Sequence, residues 1–117
     1  MTINHRIVSA VTPVIAVCKP EIYLPPDDPE KISELFCTFE VDADPICGDD
    51  RPLFTVYSCV VHFFAPYESP EQASVNTLSL RLDLAEAISQ ADGFSVPDVE
   101  DLSDAFGQHF AFRFQAV

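Results

Sequence analysis

Asp49-Asp50-Arg51-Pro52-Leu53-Phe54-Thr55-Val56-Tyr57-Ser58-Cys59-Val60-Val61-His62-Phe63-Phe64-Ala65-Pro66 decides the fold, because a polar turn launches a long apolar strand. Leu53, Tyr57, Cys59, Val61 and Phe63 fall on one side of that strand and Phe54, Val56, Val60 and Phe64 on the other. A strand apolar on both faces belongs in the middle of a sheet. Upstream, residues 35–41 alternate Leu35, Cys37, Phe39 and Val41 against Phe36, Thr38 and Glu40, the period of a strand with one wet face. Residues 42–52 between the two strands read as a turn-rich loop, and the central strand is expected over residues 53–65.

Downstream, Ser69-Pro70-Glu71-Gln72 is a helix start, with a hydroxyl at the cap, proline at the first helical position and Gln72 closing a capping box. Gly93 is the natural stop. Val75, Leu78, Leu82, Ala85 and Ile88 form the expected apolar stripe, widened by Leu80 and Leu84. A brief strand is expected over residues 96–99, followed by an acidic loop carrying Asp98, Glu100, Asp101 and Asp104. The last twelve residues set Phe110, Phe112 and Phe114 against His109, Ala111, Arg113 and Gln115, a strand with one greasy face.

At the other end, Ile3, Ile7, Val8 and Val11 lie at helical spacing before Pro13, so a first helix is expected over residues 3–12. A short edge strand is expected over residues 21–24, before the Pro25-Pro26-Asp27-Asp28-Pro29 loop. The order of elements describes an α+β fold, a mainly antiparallel sheet with two helices packed on one face. With 117 residues and 48 % hydrophobic content, residues 1–117 make one domain with a real core.

Six Lys and Arg against 19 Asp and Glu give a net charge of -13. The cations are scattered at Arg6, Lys19, Lys31, Arg51, Arg81 and Arg113, so binding to nucleic acid or anionic lipid is disfavoured. Cys18, Cys37, Cys47 and Cys59 follow no disulfide or metal-knuckle spacing, which suits reduced thiols in a cytoplasmic protein. No basic leader or long apolar run points to secretion or a membrane span.

Candidate chemistry is thin. His62 and His109 meeting across strands, with a cysteine, would suit zinc, but no Cys-x-x-Cys or paired-histidine spacing supports it, and ordinary strand histidines are the better reading. Asp42, Asp44, Asp49 and Asp50 would suit calcium, except that the turning glycine, Gly48, comes one place late for an EF-hand loop; a solvated hairpin tip is preferred. Ser58 and Ser69 lack a nucleophile elbow, and Gly48, Gly93 and Gly107 build no phosphate loop. No cofactor and no enzymatic reaction are expected. The aromatic strand faces serve either as core or as an oligomer interface.

The sequence of elements, with Phe36-Cys37-Thr38-Phe39-Glu40, the Gly48-Asp49-Asp50-Arg51-Pro52 loop, the strand 55–66, the Gly93-Phe94 step and the closing Gln108-His109-Phe110-Ala111-Phe112-Arg113-Phe114, resembles the small tail terminator (tail completion) proteins of long-tailed bacteriophages and prophages. The resemblance covers nearly the whole chain, apart from the proline-rich residues 25–29. It implies a hexameric ring on the head-proximal end of the tail tube, stopping tube polymerisation and forming the joint to the head connector. It further implies partners in the tail tube protein and the connector, DNA passing through without specific binding, no catalytic or metal residues, and a place in the virion after assembly in the host cytoplasm. The loop that reaches neighbouring components in that family maps onto residues 42–52, so Asp42, Asp44, Asp49, Asp50 and Arg51 are the candidate interface residues. The alternative from the charge alone is a stand-alone acidic module, monomer or dimer, binding a basic partner.

Overall fold

The computed structural model describes residues 2–15, 18–20, 36–48, 51–66, 70–103 and 107–117. The elements run α1 (Ile3–Val11), β1 (Cys18–Pro20), β2 (Phe36–Gly48), β3 (Arg51–Pro66), α2 (Pro70–Gln90), β4 (Asp98–Asp101) and β5 (Gly107–Ala116). The fold is α+β, and the sheet of five strands has the order β1-β2-β3-β5-β4. β3 holds the central place that its two apolar faces required.

The sheet is mixed. β2–β3, β3–β5 and β4–β5 are antiparallel, but β1 runs parallel to β2, with Cys18 opposite Cys37. The expected edge strand at residues 21–24 lies outside the described residues; the strand that forms is a few residues earlier. A parallel neighbour needs a connection of about a dozen residues or more, and the stretch between Pro20 and Phe36 supplies it.

One face of the sheet carries the core. Cys37 and Phe39 of β2, Cys59, Val61, Phe63 and Ala65 of β3, and Phe110, Phe112 and Phe114 of β5 are buried there. Registered partners such as Phe39, Val61 and Phe112 share that face, and each large side chain so buried contributes about 2–3 kcal/mol. Ile7 and Val11 of α1 and Leu84 and Ile88 of α2 close over them, all fully buried. α1 begins at Thr2, whose hydroxyl accepts from the His5 N–H at 3.2 Å.

Pro70 is the first residue of α2, as its sequence position suggested, and Gly93 adopts φ 81 after the helix; Ser69 lies outside the described residues. The buried stripe is rotated from the expected one. Leu84 and Ile88 point into the core, whereas Leu78 and Leu82 are 52 % and 64 % exposed. The apolar arc of α2 is wider than the surface beneath it. α1 occupies one side of the helix, so the Leu80–Leu84–Ile88 side turns inward and the Leu78–Leu82 flank is left over.

The largest departure is between the central strands. Residues 42–48, expected as loop, continue β2, with Asp42 opposite Ser58, Asp44 opposite Val56 and Gly48 opposite Arg51. Pro45 sits inside that strand, beyond Phe39 where β1 stops pairing and β2 is left as an open edge, a place proline tolerates, and the register shifts between Ile46 and Cys47. Cross-strand pairing to a long apolar β3 outweighs the local turn propensity of the aspartates. The brief strand expected over residues 96–99 forms two residues later, as β4 at Asp98–Asp101, and takes in Glu100 and Asp101 of the expected acidic loop; Asp104 lies outside the described residues.

Candidate functional site

β5 accompanies β3 only from Tyr57 onward, so residues 51–56 and their β2 partners run on as a two-stranded arm. At about 3.4 Å per residue the arm extends roughly 20 Å beyond the sheet. Asp42 and Asp44 are exposed where the arm leaves the sheet. Arg51 opens β3 opposite Gly48, while Asp49 and Asp50 lie outside the described residues. The two described candidate aspartates therefore share one strand face, next to the arm, instead of lining a loop.

The face of the sheet turned away from the helices carries a second cluster, of which the sequence paired His62 with His109 but did not bring in Glu40. Glu40 of β2, His62 of β3 and His109 of β5 form a chain: His62 Nε2 is 2.7 Å from Glu40 Oε1, and His62 Nδ1 is 2.8 Å from His109 Nε2. An ionised carboxylate only accepts, so His62 carries its hydrogen on Nε2 and, when neutral, accepts at Nδ1 from the His109 Nε2–H.

Beside this chain, Phe36, Phe64 and His109 stack across three strands, with ring centroids 4.9 Å apart for the phenylalanines and 4.2 Å for Phe64 and His109. Their register positions coincide, Phe36 opposite Phe64 and Phe64 opposite His109, which places the rings in one row. Arg113 reaches across to Glu100 of β4 at 3.1 Å.

His62 and His109 do meet across strands, but their facing nitrogens are engaged with each other and His62 also holds Glu40; Cys59 lies on the opposite, buried face. Among the described residues no group of three or more His, Cys, Asp or Glu is placed to hold a metal ion. Cys18, Cys37 and Cys59 are free and buried. Burial pushes the Cys18 and Cys59 thiols up to about 11 and Cys37 higher still, with Lys19 and Arg6 partly offsetting the first two. They are packing groups, not nucleophiles.

Between the helices, Arg6 donates from Nη2 to the Asp92 carbonyl at 2.9 Å and lies over the Phe94 ring, 5.2 Å from its centroid. The open cleft beside it, about 740 Å³, is lined by Arg6, Ala10, Ala87, Ala91 and Phe94 among others. Its one described cation is engaged with Asp92 and Phe94, so this contact fastens α1 to the end of α2. Among the described residues no helix is long and apolar enough to cross a membrane.

Glu40 was absent from the sequence-derived candidates because only strand register reveals it. Its alternation with Cys37 and Phe39 did place it on the wet face, and that was the available signal. No protein-family model matches this chain, and a search of curated proteins finds no match.

Proposed function

We propose that this chain is a ring-forming structural subunit of a phage or prophage virion, a tail terminator that caps the head-proximal end of the tail tube. The observation that carries the reading is the β2–β3 arm. A two-stranded ribbon is marginal by itself in water, so an arm reaching roughly 20 Å past its sheet gains most of its order from whatever it lies against. The helices on only one face of the sheet and the sequence resemblance support the same reading.

The mechanism is binding, not catalysis. A heterologous contact between subunits that closes by rotation makes a ring, here a hexamer, whose two faces differ. One face docks on the last layer of tail tube protein; the other offers no surface for further tube growth and meets the head connector. Asp42, Asp44, Asp49, Asp50 and Arg51 are the interface residues in this proposal, with Arg51 pairing to an acid of the neighbouring subunit. The net charge of -13 keeps DNA from adhering as it passes.

The arm supplies the test. Arg51→Glu, and separately replacement of residues 45–52 by a two-residue turn, should each lower the oligomer mass while leaving the monomer's melting temperature unchanged. Unchanged assembly in both variants would remove the arm from the ring contact and favour the acidic binding module.

A further inference from the structure

β4 is an edge strand, and the bond pattern fixes which of its main-chain groups look outward. The Leu102 N–H donates to the His109 carbonyl at 2.7 Å. Main-chain groups alternate along an antiparallel strand, so Glu100 and Asp98 also turn toward β5, opposite Ala111 and Arg113. The N–H and C=O of Val99 and Asp101 therefore turn away from the sheet, and all four residues of β4 are exposed.

The helix layer reaches toward this edge, where the Arg81 charge acts on Asp101. Ala87 and Ala91 of α2 line the cleft toward α1, and Leu84 and Ile88 point down at the sheet. Arg81 lies over the Phe110 ring of β5, 4.3 Å from its centroid. The flank beyond Arg81, away from α1, is the one on the β4 side, with Leu78 along it and Leu82 above it, both open to solvent. Val99 is on the helix-side face too, since it pairs with buried Phe112, and it is 48 % exposed. An apolar strip at Val99, flanked on the same face by Asp101, thus runs between the free edge and the helix.

We infer that this strip binds an extended, cationic segment of a different protein, which adds as a sixth strand to β4 with alternating apolar and basic side chains. Apolar residues of the segment pack under Leu78 and Leu82 beside Val99; basic ones face Asp98 and Glu100 on the other side. Charge selects the occupant. Asp98, Glu100 and Asp101 on the strand outnumber Arg81 and Arg113, in a chain of net charge -13, and Arg113 is already paired with Glu100. A second copy fits poorly: its β4 brings like charges, and the closest two of its six cations, Lys19 and Lys31, are twelve residues apart. The inference is independent of ring formation, and the two fail separately.

The probe is the acetylated, amidated peptide Lys-Val-Lys-Val-Lys-Val-Lys, titrated into the full chain while amide hydrogen exchange is followed by NMR. Exchange at Val99 and Asp101 should slow about tenfold or more at saturation, with Glu100 and Leu102, already bonded to β5, little changed. The Glu-Val counterpart should have no effect. Val99→Pro, which removes an outward N–H and leaves the bonds to β5 intact, should abolish binding, and Leu82→Ser should weaken it by about fivefold, both at unchanged melting temperature. Equal slowing by the acidic peptide, no slowing at all, or wild-type binding by both variants would overturn the inference. Concentration-dependent protection of Val99 and Asp101 without peptide would overturn it in favour of a second copy.

Discussion

Leu84 and Leu82 lie two residues apart on α2 and supply a direct test of how that helix is seated. Leu84 is fully buried, and Leu82 is 64 % exposed. Truncating a buried leucine loses its transfer energy and leaves a cavity, a cost of about 3 kcal/mol within a range of roughly 2–5. For a chain of 117 residues, each kcal/mol shifts the melting temperature by about 4 °C, so Leu84→Ala should lower it by roughly 12 °C. Leu82→Ala removes little buried area and gains slightly in helix propensity, so its effect should stay within about 0.5 kcal/mol. Both variants are to be melted at one low protein concentration, because assembly would raise the melting temperature of each. The apolar stripe read from sequence put Leu82 at its centre. Equal losses in the two variants would restore that reading and refute the seating described above.

Gly93→Ala should destabilise by about 1–2 kcal/mol through its left-handed backbone; a Cβ there would also meet Arg6 Nη2 at 2.7 Å and the Val117 carbonyl oxygen at 3.0 Å. Denaturant titration measures this, and a neutral result would contradict the fastening role of the Arg6 contact. Cys18, Cys37 and Cys59 should resist a thiol reagent at pH 8 in the folded chain and react in urea. Because burial raises the native Cys18 and Cys59 thiols from 9.0 to about 11, and Cys37 further, their contribution to stability is complete below pH 9. It is lost as pH rises from there through 11, while unfolded thiols ionise and native ones do not. A denaturation midpoint that is flat from pH 8 to 11 would contradict their burial. A double-mutant cycle on Glu40→Gln and His62→Gln should give a coupling of roughly 0.5–1 kcal/mol, the worth of a partly exposed pair; additivity would mean the 2.7 Å contact contributes nothing.

Long apolar alternation was the most legible signal. β3 and β5 announced themselves through Val61, Phe63, Phe110, Phe112 and Phe114, whose burial follows from period-2 patterning and needs no knowledge of neighbours. Pro70 and Gly93 bounded α2 by local chemistry alone. Asp42, Asp44 and Pro45 misled, since their turn propensity is local and the pairing that overrides it is not. Glu100 and Asp101 misled similarly: an edge strand tolerates charge at most of its positions and so resembles a loop. The parallel β1 depends on a crossover that no periodicity encodes. The Glu40–His62–His109 chain depends on register across three strands, and a single sequence carries no direct record of register.

The measurement that bears most directly on the proposed function is the molar mass of the purified chain by light scattering across concentration and salt, with negative-stain imaging of any large species. Closed rings of about six subunits around a hole wide enough for duplex DNA are the expected result. Monomers or dimers that persist at every concentration, and also when tail tube ends are supplied, would contradict it.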